Sequence, residues 1–195
     1  MSDLGRIFSA AILVSGGGST ALNLIACAER GEIPIHIALI VAHRAEIPAV
    51  TRCAGAGRKV VVLPGNSSPA ASDEMDELLQ ANGIELVILG GYLRALRIGP
   101  WAGRTLNIHP ALLPAFGGQG MYGQHVHEAV IASGARESGC TVHFVDDRYD
   151  HGETIVQRKV PVLPNDSADS LAKRIAVEEH LAFPEAIRIW AARQH

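Results

Sequence analysis

The chain has 195 residues, of which 48% are hydrophobic and 19% are charged, and it contains 20 glycines and 10 prolines. These proportions are typical of a compact α/β enzyme and exclude a disordered or fibrous protein. A formal charge of -3 and a pI near 6.3 give no basic field for nucleic acid, and no Lys/Arg run suggests binding to a membrane surface, so small-molecule chemistry is favoured.

Apolar runs and helical patterns alternate over the first part of the chain. We predict strands at 7–14, 35–42, 59–63, 84–91 and 105–108, and helices at 20–30 and 72–82. Continuous Val/Ile/Leu runs indicate strands that are buried on both faces, as in parallel sheets covered by helices. The predicted fold class is therefore α/β, with a Rossmann-like, doubly wound, mostly parallel sheet that has helices on both faces.

The pattern changes after Pro110. The next predicted elements are a glycine-rich loop, a short helix and two β-like segments, at 116–123, 125–133, 140–145 and 154–160. Length and pattern together predict a single domain over 1–195.

A long amphipathic helix is predicted from Ser167 to about Arg193. A short side-chain oxygen just before a helix can accept hydrogen bonds from the free amides of the first turn. Asp166 and Ser167 are both placed to do so, and we expect one of them to cap the helix.

The cysteines and the N-terminal sequence bear on the compartment. Cys27, Cys53 and Cys140 are widely spaced and form no Cys-x-x-Cys pair that would bind zinc or carry electrons. The apolar run at 7–14 is too short to span a bilayer and lacks a signal-peptide cleavage pattern. We therefore expect a cytoplasmic protein.

The loop Ser15-Gly16-Gly17-Gly18-Ser19-Thr20 joins the first predicted strand to the first predicted helix. Glycines allow a tight turn that brings backbone amides close to an anion, and a helix N-terminus favours negative charge. No Gly-Lys-Ser/Thr follows, so the loop is not a P-loop, and the second strand ends at His43 and Arg44 where a dinucleotide fold has an acid. We predict a phosphate site, with a tight turn that binds nothing as the alternative.

Asn107 and His109 lie at the carboxyl end of the fifth predicted strand, in Leu106-Asn107-Ile108-His109-Pro110-Ala111-Leu112-Leu113-Pro114. Ligands bind at this end of open parallel sheets, and two residues that are two positions apart share one face of a strand. A carboxylate would complete a catalytic group, and Asp150 in the turn between the β-like segments is the candidate. Taken alone, an Asp beside a glycine is an ordinary turn residue.

Nine histidines raise the question of a metal site. The histidines that could be imagined as ligands are His109, His125, His127, His143 and His151. They show no His-Glu-x-x-His or zinc-type spacing, so we predict no metal. No Gly-x-Ser-x-Gly motif is present to anchor a serine hydrolase triad.

Four segments in the same order resemble the phosphoribosylglycinamide formyltransferases, which are folate-dependent enzymes. They are Ser-Gly-Gly-Gly-Ser at 15–19, Gly90-Gly91-Tyr92-Leu93-Arg94, the segment from Leu106 to Pro114, and Thr141-Val142-His143-Phe144-Val145 followed by Asp150. The Asn-Ile-His-Pro-x-Leu-Leu-Pro segment is specific to folate formyltransferases and their hydrolase relatives. The resemblance extends over nearly the full chain.

The resemblance implies that a formyl group moves from 10-formyltetrahydrofolate to the amino group of glycinamide ribonucleotide in purine synthesis, without a metal. It implies a phosphate-binding half at 1–109 and a folate-binding and catalytic half at 110–195. The only partners it implies are these two small molecules, and it leaves a homodimer open.

The resemblance also assigns residues. It assigns catalysis to Asn107, His109 and Asp150. It assigns binding of the substrate phosphate to Gly18, Ser19 and Thr20, and a further contact with the ribonucleotide to Glu179. The residues that the resemblance assigns to folate are Leu93, Arg94, Ala95, Leu96, Asn107, Asp146, Asp147, Arg148, Tyr149 and Asp150.

The sequence departs from the family pattern at three places. Gly17 and Thr20 stand where the family loop usually has asparagines, so backbone amides are left to bind the phosphate. The glycine-rich segment at 116–127 is longer than in the best-known members. A basic residue that some members place near the folate tail has no match in 66–73.

For the chemistry, we expect the Asn107 amide and a charged His109 to donate hydrogen bonds to the oxyanion of the tetrahedral intermediate. Asp150 is expected to hold His109 charged and to help move the proton of the attacking amine.

Four alternatives share parts of this pattern. Formyltetrahydrofolate hydrolases carry an extra N-terminal domain, and methionyl-tRNA formyltransferases carry a C-terminal RNA-binding domain and a basic surface, so the length of the chain is expected to disfavour both. A formyltransferase that acts on an amino sugar nucleotide shares the core motif. A non-catalytic nucleotide-binding module would share only the fold.

Overall fold

The computed structural model of the protein describes residues 5–63, 69–94 and 96–194. The chain divides between Leu106 and Asn107 into two compact units. Within the described residues, no helix is both long enough and apolar enough to cross a membrane.

The strands are, in chain order, β1 (Phe8–Val14), β2 (Ile35–Ala42), β3 (Val60–Val62), β4 (Leu86–Leu89), β5 (Thr105–His109), β6 (Glu137–Phe144) and β7 (Thr154–Pro161). The α-helices are α1 (Ser19–Glu29), α2 (Pro48–Gly55), α3 (Pro69–Ala81), α4 (Gln124–Ala132) and α5 (Ala168–Ala192). The strand order in the sheet is β3-β2-β1-β4-β5-β6-β7. β1 pairs in parallel with β2 and β4, and β2 pairs in parallel with β3, whereas β6 and β7 are antiparallel. The predicted α/β fold with a mostly parallel sheet is therefore confirmed.

The core of the first unit is built from its central strands. In β1 the side chains of Ile12, Leu13 and Val14 are fully buried, and every residue of β4 is buried as well. Full burial of a side chain of this size contributes roughly 1.5–3 kcal/mol relative to exposure. The continuous apolar runs of the sequence thus correspond to strands that are buried on both faces.

The helix α2 was not predicted from the sequence. It is only eight residues long, starts with Pro48 at its first position, and buries only Ala49 and Cys53. Ala49 and Cys53 lie four positions apart and form an apolar face of about one turn, which is too short to indicate a helix by its period. Proline at the first helical position is well tolerated because its missing N–H would have no partner there.

The second unit is built around the hairpin of β6 and β7, with α5 packed against both strands. β6 begins at Glu137, three residues before the predicted start at Cys140. The helix α5 begins with a capping box, in which the Ser167 side chain accepts from the Ser170 amide and the Ser170 hydroxyl accepts from the Ser167 amide. Ser167 is therefore the cap, and the alternative Asp166 instead pairs with Arg174.

Candidate active site

The carboxyl end of β5 carries two polar side chains on one face. Asn107 and His109 are two residues apart, and the residues that alternate with them, Leu106 and Ile108, are buried core residues. Asn107 is half-buried, and His109 is only 3% exposed. The strand thus presents an amide and an imidazole side by side.

Asp150 lies in the turn between β6 and β7, and its side chain is 11% exposed. Its φ of 54° is in the left-handed region, which Asp tolerates better than most residues do. Its Oδ2 lies 3.4 Å from His109 Nδ1, and its Oδ1 lies 3.5 Å from Asn107 Nδ2. The structure thus brings the three residues together, while their catalytic roles stay predictions.

The start of the glycine-rich segment contacts two of these three residues. The Phe116 carbonyl oxygen lies 2.7 Å from His109 Nε2, and the Gly118 amide donates to Asp150 Oδ2 at 3.0 Å. Phe116 itself has a φ of 56°, which is uncommon for a bulky residue. No role for this segment could be assigned from the sequence, and its first residues contact the histidine and the carboxylate.

Gly117 lies where a side chain has no room. A Cβ there would lie 2.5 Å from Leu113 Cδ2 and 3.2 Å from Asp150 Cβ. The leucine methyl could rotate away, but the aspartate Cβ could move only with its backbone. A glycine at this position therefore allows the segment to approach Asp150.

His143 is a fourth member of the cluster, and it is 1% exposed. Its Nδ1 lies 2.7 Å from the Phe144 carbonyl oxygen, and its Nε2 lies 3.1 Å from Asn107 Nδ2 and 3.6 Å from Asp150 Oδ1. From the sequence, His143 was noted only within a motif and as a candidate metal ligand. The signal that could have found it is a histidine within a buried strand next to the strand of Asn107.

The hydrogen-bond partners of His109 fix its tautomer. A carbonyl oxygen can only accept, so His109 Nε2 carries a hydrogen toward Phe116, and Nδ1 is the unprotonated nitrogen of the neutral ring. Burial lowers the pKa of His109, and this outweighs the opposing effects of Asp150 and of the Phe116 carbonyl. Burial thus opposes a charge on His109 while Asp150 favours it, and the expectation that Asp150 keeps His109 charged stays a prediction.

Asp150 is favoured in its charged form. Burial acts to raise the pKa of the Asp150 carboxyl, but the nearby His143 and His109 and the hydrogen bond from the Gly118 amide outweigh burial and lower the pKa. An ionised carboxylate therefore faces Nδ1 of His109. One proton placed between these two atoms would be held by both.

A cavity of about 370 Å³ opens beside Asp150, and Leu113, Pro114, Gly117, Gly118 and Tyr149 are among the residues that line it. The loop that carries Asp150 is braced by Asp146, which accepts from the Arg148 amide and lies 3.1 Å from His151 Nδ1. Tyr149 is 65% exposed and leaves a large aromatic face uncovered. The second unit thus offers a concave surface next to the polar cluster.

The other histidines lie in different surroundings. His125 is exposed and pairs with Glu128, and His151 is exposed and pairs with Asp146, whereas His127 is buried with no partner for its Nδ1. In the parts of the chain that the structure describes, no group of three His, Cys, Asp or Glu side chains is arranged to hold a metal ion.

The glycine loop of the first unit leads directly into α1. Gly18 has a φ of 74° and precedes the helix, whose first turn has neither a side-chain cap nor an acidic residue. A Cβ at Gly18 would lie 2.8 Å from the Cβ of Ala49 in α2, so only glycine fits there. The amides of Ser19 and Thr20 lie in the first turn of the helix, where backbone amides have no partner within the helix and can bind an anion.

The predicted folate residues of the first unit follow β4. Leu93 is 58% exposed and its amide donates to Ser15 Oγ at 3.0 Å. Arg94 is exposed and Leu96 is half-buried, while Ala95 lies outside the described residues. The hydrogen bond to Ser15 joins this segment to the start of the glycine loop.

Glu179 lies in the middle of α5 and is half-buried. Burial raises the pKa of its carboxyl to about 7. The side chain can therefore be neutral or charged near neutral pH, and its predicted contact with the ribonucleotide stays a prediction.

Comparison with known proteins identifies the family to which the chain belongs. The sequence profile of the family described as formyl transferase matches residues 9–187, and the chain belongs to this family. A relative from Vigna unguiculata named phosphoribosylglycinamide formyltransferase, chloroplastic, is 39% identical over 183 residues, which cover 91% of this chain and 59% of the relative. The relative of the same name from Arabidopsis thaliana is 38% identical over 184 residues, which cover 91% of this chain and 63% of the relative.

Solved structures agree with this assignment to the formyl transferase family. The crystal structure of glycinamide ribonucleotide transformylase 1 from Symbiobacterium toebii superimposes with a TM-score of 0.90 at 35% identity, over 97% of this chain and 90% of that one. The chain spans about three-fifths of the length of the two plant relatives.

Proposed function

We propose that the protein transfers a formyl group from 10-formyltetrahydrofolate to the amino group of glycinamide ribonucleotide, a step of purine synthesis. The observation that carries the proposal is the cluster of Asn107, His109 and Asp150, with contacts of 3.4–3.5 Å to the carboxylate, in a chain of the formyl transferase family. The names of the plant relatives and of the Symbiobacterium toebii structure support this choice of substrates.

The transfer needs a base, an oxyanion site and an acid. The amine attacks the formyl carbon, the carbonyl oxygen becomes an oxyanion, and the bond from carbon to folate N10 then breaks. Overall, one proton moves from the amine to N10. Positioned hydrogen-bond donors at the developing oxyanion lower the barrier by about 3–4 kcal/mol each.

The neutral His109 can supply the base. Its unprotonated Nδ1 accepts the proton of the amine as the new bond forms, and the neighbouring Asp150 carboxylate stabilises the imidazolium. The Nδ1–H then donates to the oxyanion together with the Asn107 amide. The same proton passes to N10 as the tetrahedral intermediate collapses, so no proton is gained or lost.

The remaining assignments concern binding. The amides of Gly18, Ser19 and Thr20 would hold the substrate phosphate at the start of α1. The segment at 93–96 and the loop at 146–150 would bind the folate pteridine, and Glu179 would contact the ribonucleotide. This division corresponds to a phosphate-binding half at 1–109 and a folate-binding and catalytic half at 110–195, in a cytoplasmic enzyme that acts on small molecules without a metal.

A direct assay tests the proposal. The purified protein is incubated with 10-formyltetrahydrofolate, with and without glycinamide ribonucleotide, and both formyl transfer and loss of the formyl group to water are followed. We expect transfer that depends on the ribonucleotide and little hydrolysis without it. Hydrolysis that is independent of the acceptor would show a hydrolase instead, and transfer only to an amino sugar nucleotide would show a different acceptor.

A further inference from the structure

We propose that His143 is a positioning residue that holds the Asn107 amide with its NH2 group toward the reacting atoms, and this inference rests on the proposed function. Asn107 has an amide whose two ends are similar in size, and only the nitrogen end can donate to an oxyanion. Something in the fold must therefore decide which end faces the substrate.

The partners of His143 fix its protonation pattern. Its Nδ1 lies 2.7 Å from the carbonyl oxygen of Phe144, which can only accept, so Nδ1 carries the hydrogen. In the neutral ring, Nε2 is then an acceptor. Asn107 Nδ2 lies 3.1 Å from it, so the amide donates one hydrogen to His143 and keeps the second for another acceptor.

Asp150 alone would hold the amide less well. Its Oδ1 lies 3.5 Å from Asn107 Nδ2, a long hydrogen bond, and its Oδ2 is already engaged by the Gly118 amide. Asp150 also lies in a turn, whereas His143 lies within β6 opposite Thr154 of β7 and is 1% exposed. The buried strand thus supplies the acceptor for the Asn107 amide, and the turn supplies the carboxylate that stabilises protonated His109.

Two substitutions at position 143 separate this role from simple packing. His143→Phe keeps the ring and removes the acceptor, and His143→Gln places an amide oxygen near the former Nε2. We expect His143→Phe to lower kcat by about 100-fold, the size of effect that a small displacement of a catalytic group can have, with the KM of both substrates little changed. We expect His143→Gln to recover part of the lost kcat.

A matched control comes from the same strand. Ser138 in β6 is 2% exposed, and its hydroxyl has no hydrogen-bond partner. Ser138→Ala should keep the kcat of the wild type. A His143→Phe variant with wild-type kcat, or a His143→Gln variant as slow as His143→Phe, would overturn the proposal.

A measurement without substrate tests the same inference if the Phe variant does not fold. Nitrogen-15 NMR of the wild-type protein should show His143 with the hydrogen on Nδ1 and a bare Nε2, and should show a shifted Asn107 side-chain amide signal in His143→Gln. A hydrogen on Nε2 would contradict the positioning role whatever reaction the enzyme catalyses. A wild-type protein that transfers no formyl group but shows the bare Nε2 would count against the proposed function alone.

Discussion

His109 and Glu179 illustrate how burial of one side chain sets its charge. Burial lowers the pKa of the imidazole and raises that of the carboxyl to about 7, so both are driven toward their neutral forms. For His109 the effect changes the chemistry, because a neutral ring can take a proton from the amine. The local sequence shows an Asn-x-His pair but does not show how deeply the ring is buried.

Replacing Asn107 by aspartate keeps the shape of the side chain and should remove its hydrogen-bond donor. Asn107→Asp replaces the NH2 group by a second carboxylate oxygen, next to the Asp150 carboxylate. We expect kcat to fall by about 10²–10³-fold, as when an oxyanion donor is lost elsewhere. Steady-state kinetics measures the effect, with circular dichroism to show that the fold persists. A variant that is folded and as fast as the wild type would remove the amide from the mechanism.

The cysteines should be unreactive in the native protein. All three thiols are buried, and burial raises the pKa of Cys53 and raises that of Cys140 to about 12. Because the thiolate is the reactive form, we expect almost no reaction with a thiol-specific reagent in buffer, and reaction of all three thiols in denaturant. Rapid labelling of the native protein would show that one of these sites opens easily.

Among the elements, those with a local sequence pattern were predicted better than the contacts between residues that lie far apart in the chain. The apolar runs of β1 and β4 indicated buried strands directly, and the alternation in β5 correctly placed Asn107 and His109 together. The helix α2 has an apolar face of only about one turn and was not predicted. The contacts of Asp150 depend on a left-handed turn and on the glycine-rich segment, which come together only in the folded chain.

The glycine-rich segment provides a test at this scale. Gly117→Ala puts a methyl group 3.2 Å from Asp150 Cβ, so the aspartate must shift by a few tenths of an ångström. We expect kcat to fall by about 10-fold or more, with a loss of about 1 kcal/mol in the free energy of unfolding. Gly99→Ala is the control, because a Cβ at Gly99 meets nothing within 4 Å. Equal kcat values for the two variants would show that the segment does not hold the carboxylate.

For the whole molecule, buried ionisable groups make stability depend on pH in two opposite ways. Burial lowers the pKa of four histidines below 6.5, namely His43, His109, His127 and His180. The unfolded chain binds protons at these histidines more readily than the folded chain does. The contribution of the neutral histidines to the free energy of unfolding is therefore present above pH 6.5 and is lost as the pH falls below this value. Glu179 has the opposite effect. Burial raises the pKa of its carboxyl from 4.5 to about 7, so its contribution to the free energy of unfolding is lost as the pH rises between these two values.

Glu179→Gln separates the two effects. Glutamine resembles the neutral carboxyl, so the variant should be more stable than the wild type at pH about 8, where the wild-type Glu179 must be charged, and of similar stability at pH about 4. The loss of stability in acid, which the histidines cause, should remain in the variant. Urea unfolding at the two pH values measures this, and an equal difference at both would mean that the carboxyl is not shifted by burial.

The most direct test of the central claim is the rate of a single turnover of formyl transfer in Asp150→Asn. The variant keeps the size of the side chain and removes the charge that stabilises protonated His109, and Asp169→Asn on the exposed start of α5 is the matched control. We predict that Asp150→Asn slows the transfer by about 10²–10⁴-fold while the protein stays folded and the control is unaffected. A folded Asp150→Asn variant that transfers the formyl group nearly as fast as the wild type would contradict the account.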